Sequence, residues 1–200
     1  MSEEQVRVLL TGGIGAGKSS VGELLRARGA LVIDADAIGH QVLEPGGAAH
    51  AQVAETWPSA VVDGVIDRTR LADIVFGDHA ELARLEGFTH VAIRRQIAAM
   101  IEASTEKVVV VEVPLLADFM GAGWFRVVVD ADPDVRMSRL RQRGMHRSDV
   151  TRRMSAQPAR AAWLASTNAV LENSGDPEAL AAQVDALWGK LTLGTDVYDD

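Results

Sequence analysis

Gly12-Gly13-Ile14-Gly15-Ala16-Gly17-Lys18-Ser19 satisfies the pattern G-x-x-x-x-G-K-[ST] without a mismatch, and its reading decides the fold. Before it, Val6, Val8, Leu9 and Leu10 form a short apolar run with β-branched members; after it, Val21, Leu24, Leu25 and Arg28 recur at helical spacing. Strand, glycine turn and helix therefore follow in the order a phosphate-binding P-loop requires. The backbone N–H groups of Gly12, Gly13, Ile14, Gly15, Ala16 and Gly17 curl around phosphate oxygens only where φ can turn positive and no Cβ intrudes, which accounts for the four glycines. The helix that begins here adds the positive end of its dipole beneath the phosphates. Lys18 reaches the β- and γ-phosphates as a mobile point charge, the Ser19 hydroxyl is placed to ligate Mg²⁺, and Ser20 lies one position further round the same helix start. A glycine-rich turn with a chance lysine is the alternative, and the flanking strand and helix argue against it. The motif fits a nucleoside triphosphate and leaves the second substrate open.

Composition sets the bounds. At 200 residues the chain is long enough to bury a core as one domain, and 48% hydrophobic with 24% charged residues argues against general disorder. A formal net charge of −8 disfavours non-specific binding to nucleic acid or to an anionic membrane, so an anionic ligand must be captured by a local basic site. Cysteine is absent, so neither a disulfide framework nor a thiolate metal site is available. Met1 to Gln5 carries two glutamates and no apolar core, and no apolar run approaches the length of a membrane span. The expectation is a soluble, cytoplasmic protein with no obligatory protein partner. The five histidines show no metal-ligand spacing.

Taken along the chain, strands and helices alternate as in an α/β fold with a parallel sheet. Ala30 to Ile33 reads as a second buried strand ending in Asp34-Ala35-Asp36, two carboxylates at the strand end where open parallel sheets bind ligands. Either could take a proton from a hydroxyl nucleophile or hold the hydration shell of a metal ion; either could also simply cap the next helix. Residues 38–104 read as a helical insertion, with breaks at Pro45-Gly46-Gly47 and Pro58, a turn or short hairpin over Val61 to Ile66, and helices over Asp67 to Phe76, Ala80 to Leu85 and Ile93 to Ser104. By position it would carry the second substrate's pocket. Lys107 to Val113 is the strongest strand signal and reads as central; Phe125 to Asp130 follows, then Asp132-Pro133 opens a helix running to Gly144. Arg136, Arg139, Arg141 and Arg143 lie on that helix, with Arg147, Arg152, Arg153 and Arg160 beyond. In an acidic chain this concentration suggests a lid over the triphosphate, while a solvated face remains the alternative, first for Arg141 and Arg147. Ala169 to Leu171 reads as a last strand, and Asp176-Pro177 opens a final helix to Gly189. The expected division is a nucleotide-binding core over 1–37 and 105–193, the insertion over 38–104, a lid within 136–160 and a tail over 194–200.

In addition, Thr11 to Ser19, Ile33 to Asp36 with Ile38, Val42 and Pro45-Gly46, Val75-Phe76, His90, Pro114-Leu115-Leu116, Gln142-Arg143-Gly144, Arg153 to Gln157 and Asn173-Ser174-Gly175 together resemble the dephospho-CoA kinase family, in order over most of the chain. The resemblance implies a P-loop fold with a helical substrate-binding insertion and a helical lid. It implies phosphorylation of the ribose 3′-hydroxyl of dephospho-CoA by ATP with Mg²⁺, giving CoA and ADP. By it, Asp36 would be the base or orienting carboxylate, and Lys18 and Arg139 would stabilise the phosphoryl group. Arg143 with Asn173, Ser174 and Gly175 would face ATP. Asp34, His90, Arg94, Pro114, Leu115 and Leu116 would face the acceptor. Departures from the family pattern are Val91 where proline usually follows His90, Ala117-Asp118 after Pro-Leu-Leu, Asn168 for an aspartate, and Trp163 at a position often basic.

Rival readings are another small-molecule kinase, such as a nucleoside monophosphate or shikimate kinase, a GTP-dependent switch and a non-catalytic nucleotide-binding module. The switch predicts an Asn-Lys-x-Asp segment, which the sequence lacks. The module leaves Lys18, Ser19 and Asp36 without a purpose.

Overall fold

Val8, Leu9 and Leu10 are apolar without alternation, the pattern of a strand covered on both faces. In the computed structural model, which describes residues 5–114, 120–165 and 167–193, they are 0%, 4% and 0% exposed. Their strand, β1 (Val6–Gly12), is the middle one of five. The order across the sheet is β2 (Leu31–Asp34), β5 (Val108–Glu112), β1, β6 (Phe125–Asp130) and β7 (Ala169–Glu172). β1 runs parallel to both neighbours, with Val8 opposite Val110 and Phe125, and β6 runs parallel to β7 with Val129 opposite Leu171.

Two expectations about strands change. The Val108 to Val111 run is buried as its composition demands, yet β5 lies one place from the centre, which β1 holds. β2 is an edge strand, and Leu31 and Val32 are only half-buried. A run of four apolar residues cannot announce whether neighbours lie on one side or two.

On one face of the sheet, α1 (Lys18–Ala27) and α9 (Pro177–Leu193) cover the core. Val21, Leu25, Leu180, Val184, Leu187 and Leu191 pack with Val8, Leu10, Val110, Val127 and Val129. α9 continues past Gly189 to Leu193. A glycine inside a helix costs about 1 kcal/mol relative to alanine, and burying Leu191, 1% exposed, offsets it with roughly 1.5–3 kcal/mol. After β6 come α6 (Pro133–Gln142), α7 (Arg147–Ser155) and α8 (Arg160–Leu164).

The chain divides into two compact units, one formed by the residues up to Ile33 and from Ser104 onward, the other by Asp34–Ala103. The second contains α2 (Ala35–Gln41), α3 (His50–Thr56), a 3₁₀ turn at Pro58–Ala60, a two-stranded hairpin of β3 (Val61–Val62) and β4 (Val65–Ile66), α4 (Arg68–Val75) and α5 (His79–Glu102). Asp67 caps α4, its Oδ1 accepting the N–H groups of Thr69 and Arg70 at 2.9 and 3.2 Å. Where the sequence suggests two helices, Ala80 to Leu85 and Ile93 to Ser104, the structure has one of 24 residues. Gly87 and Thr89 weaken local propensity, but Val91 retains the N–H that a proline would lack, and Ala92, Ile93, Ile97 and Ile101 are buried along one stripe. Trp57, 5% exposed, anchors the first half: its Nε1 donates to Glu81 Oε2 at 2.6 Å and its ring lies 6.0 Å from that of Phe88. Among the described residues, no helix is long and apolar enough to cross a membrane.

Candidate active site

The loop between β1 and α1 is shaped by what surrounds it. Gly17 is the N-cap of α1 with φ at +99°, a left-handed conformation that glycine adopts without penalty, and a Cβ there would overlap the Asn173 side-chain amide. A Cβ on Gly13 would overlap the Arg136 guanidinium. The glycines thus serve packing beneath the loop as well as the approach of phosphates above it. Lys18 stands at the first position of α1 and its Nζ donates to the Gly12 carbonyl at 2.9 Å. Ser19 and Ser20 are exposed on the first turn.

Two arginines one helical turn apart on α6 hold the loop. Arg136, 5% exposed, donates Nε to the Ile14 carbonyl at 2.9 Å and Nη2 to Gln157 Oε1 at 2.7 Å, and the same Oε1 accepts the Ile14 N–H at 3.1 Å. Arg139 donates Nη1 to the Ala16 carbonyl at 3.4 Å and Nη2 to Asn173 Oδ1 at 3.3 Å. Asn173 is 7% exposed, donates Nδ2 to the same Ala16 carbonyl at 2.7 Å, and is itself fixed by its backbone N–H on the Asp130 carbonyl at 2.8 Å. Burial lowers the pKa of Arg136, and the charge of Asp130 opposes the shift. An arginine nevertheless keeps its charge near neutral pH. Asp130, 2% exposed at the end of β6, accepts Arg160 Nε at 3.0 and 2.8 Å on its two oxygens.

This arrangement separates the members of the arginine cluster by what they touch. Arg136 is a buried strut under the loop, and Arg160 is paired with Asp130. Arg141, Arg143, Arg147, Arg152 and Arg153 are exposed, Arg152 bonding Asp149 at 3.0 Å. Helical spacing places Arg136 and Arg139 on one face, but only tertiary packing turns that face toward the loop.

The carboxylate pair also divides. Asp34 Oδ1 caps α2, accepting the N–H groups of Asp36 at 2.9 Å and Ala37 at 3.1 Å. Asp36 is exposed on the first turn of α2, where Asp34 sets the direction of the helix that carries it. His90 is half-buried and Arg94 exposed, four residues apart on α5 and therefore on one face. On the same helix Phe88, Val91, Arg95 and Gln96, with Gln52 of α3, line an open groove of about 550 Å³. Ser174 Oγ accepts the Asp132 N–H at 2.7 Å, and Gly175 is exposed beside it. Pro114 is exposed after β5; Leu115 and Leu116, with Ala117 and Asp118, lie outside the described residues, as does the tail over 194–200.

Nothing in the sequence around Gln157 announces a chemical role, although it closes the segment Arg153 to Gln157 that carries part of the family resemblance. Its spacing from the loop is 143 residues, and no local pattern reports such a contact.

A five-stranded sheet with helices packed on it, and a glycine loop leading from its central strand into a helix headed by lysine and serine, define a P-loop nucleoside-triphosphate-binding protein. The family model for dephospho-CoA kinase matches residues 6–178. The dephospho-CoA kinase of Thermobifida fusca is 41% identical over 192 residues, covering 93% of this chain and 96% of that protein. A crystal structure of a Thermus thermophilus protein superposes with a TM-score of 0.85 at 32% identity, covering 94% of this chain and 99% of the other. The dephospho-CoA kinase of Campylobacter jejuni superposes with a TM-score of 0.67 at 22% identity, over 94% and 98% of the two chains, and shares the fold. The chain belongs to the dephospho-CoA kinase family.

Proposed function

We propose that this chain transfers the γ-phosphoryl group of ATP to the ribose 3′-hydroxyl of dephospho-CoA, giving CoA and ADP. The observation that carries the reading is the intact glycine loop, braced at Ile14 and Ala16 from below and followed by Lys18 and Ser19 at the start of α1. Phosphoryl transfer asks little covalent chemistry of a protein; it asks for positioning, charge neutralisation and exclusion of water. The backbone N–H groups of Gly12 to Gly17 bind the phosphates. Lys18 leaves the Gly12 carbonyl, to which it is bonded at 2.9 Å, and follows the transferring group. Arg139 adds a second cation. Arg143, with Asn173, Ser174, Gly175 and Ser20, completes the nucleotide's surroundings.

The Ser19 hydroxyl, exposed on the first turn of α1, is a hard oxygen donor of the kind that would hold Mg²⁺. When bound, Mg²⁺ neutralises charge on the β- and γ-phosphates. Asp36 accepts or orients the proton of the attacking hydroxyl; its support is its place just beyond the end of β2, two residues past the Asp34 cap. His90 and Arg94 are the candidates for the acceptor's anionic parts, and Pro114, Leu115 and Leu116 are further candidates for binding it. The groove on α3 and α5, with Phe88 and Val91 beside Gln52 and Arg95, offers both apolar walls and hydrogen-bonding groups to an arm built of methyls and amides.

The test is ADP release from ATP and Mg²⁺ with dephospho-CoA, AMP, shikimate or no acceptor. Stimulation by dephospho-CoA alone, with a product of CoA mass, is the expected result. A different preferred acceptor overturns the substrate assignment and leaves the P-loop chemistry in place.

A further inference from the structure

Trp163 has no part in the chemistry above, yet it is 3% exposed and lies against the residue that holds the loop. The Arg136 guanidinium carbon sits 5.5 Å from the Trp163 ring centroid, within the range of a cation–π contact. The same guanidinium bonds the Ile14 carbonyl and Gln157, and Gln157 bonds the Ile14 N–H. Both backbone polar groups of Ile14 are therefore fixed by one arginine and the glutamine it touches. The guanidinium also fills the space that a side chain at Gly13 would need. α8, which carries Trp163, is pinned one turn earlier by Arg160 on the buried carboxylate of Asp130.

We infer that Trp163 is a positioning residue for ATP: its ring fixes the Arg136 guanidinium, which with Gln157 sets the curl of the P-loop at Gly13 and Ile14 and stands as a buried cation behind the phosphates. The inference rests on the phosphoryl-transfer reading of this loop. A desolvated guanidinium with open space on one face loses both an attraction and a constraint on its torsions, and the cation–π term grows as water is excluded. Trp163 Nε1 is buried and makes no hydrogen bond to the described residues, so the ring acts through its face and its packing. Phenylalanine keeps a π face; leucine keeps only apolar volume.

The experiment compares the full-length wild type with Trp163→Phe and Trp163→Leu. It reads ATP Kd by calorimetry without acceptor, kcat and KM for both substrates, and thermal midpoints. Trp163→Leu is expected to weaken ATP about tenfold, with Trp163→Phe within about threefold of wild type and the acceptor KM unchanged in both. Should Trp163→Leu not fold, Trp163→Met, which keeps a flexible apolar side chain and also lacks a π face, is expected to show the same loss of ATP affinity, and wild-type affinity in it overturns the inference. ATP affinity equal to wild type in the leucine variant, equal losses with Phe and Leu, or a parallel rise in both KM values overturns the inference. Because ATP binding is read without acceptor, failure to phosphorylate dephospho-CoA would overturn the substrate assignment and not this role.

Discussion

Arg139 Nη2 lies 3.3 Å from Asn173 Oδ1, and both side chains converge on the Ala16 carbonyl, at 3.4 Å from Arg139 and 2.7 Å from Asn173. The helix after β6 and the turn after β7 thereby meet under the same peptide of the P-loop. Asn173 is the stronger partner by distance and is buried, so Asn173→Ala leaves the Ala16 carbonyl with the longer bond alone. The expected cost is about 1–3 kcal/mol of stability, read by urea denaturation. An ATP KM raised roughly tenfold should accompany it, because a displaced Ala16 moves the N–H groups that face the phosphates. Unchanged stability and KM would remove Asn173 from the loop's support.

Lys18 is bonded to the Gly12 carbonyl at 2.9 Å, inside the loop it serves. Alanine at the first position of α1 is a good helix former, so Lys18→Ala should fold normally by circular dichroism. Turnover should fall about 100-fold or more, since a charge that follows the transferring group stabilises the transition state more than bound ATP. A near-normal kcat in that variant refutes the clamp role.

The P-loop was legible because its signal is local: eight consecutive residues with a strand before and a helix after carry their own context. The same holds for caps such as Asp67 and for Asp132-Pro133 at the head of α6, where Asp132 accepts the Asp134 N–H at 2.8 Å. What depends on remote partners is not legible. Sequence shows a row of cations on α6 and not that Arg136 bonds Ile14, 122 residues away. Gln157 and Trp163 have no local chemistry to announce them. α5 read as two helices because Gly87 and Thr89 are poor formers, while the packing of Trp57 and Phe88 that outweighs them is tertiary.

Trp57 Nε1 donates to Glu81 Oε2 at 2.6 Å across the second unit, and Arg84 lies 5.9 Å from the Trp57 ring centroid. Glu81→Ala deprives a 5% exposed indole of its acceptor, which should cost about 1–3 kcal/mol. Glu81→Gln keeps an oxygen acceptor and should recover most of that loss. Hydrogen exchange gives the location: lost protection within residues 50–102, with the P-loop core unaffected, is the expected pattern. Equal stability of the alanine and glutamine variants would show that the bond contributes nothing net.

Asp36 is the residue proposed to accept or orient the proton of the attacking hydroxyl. It is exposed on the first turn of α2, whose start Asp34 fixes through the Asp36 and Ala37 N–H groups. Asp36→Asn keeps shape and hydrogen-bonding capacity but removes the basic oxygen, so ATP affinity should stay within about twofold while transfer falls about 10²–10⁴-fold. Asp34→Ala separates positioning from chemistry: losing an N-cap costs about 1 kcal/mol and should lower kcat less than Asp36→Asn does. Both effects are read from single-turnover rates beside ATP binding by calorimetry. If Asp36→Asn turns over at the wild-type rate, the hydroxyl is activated elsewhere; if Asp34→Ala falls as far as Asp36→Asn, the pair acts jointly and the cap is not its main purpose.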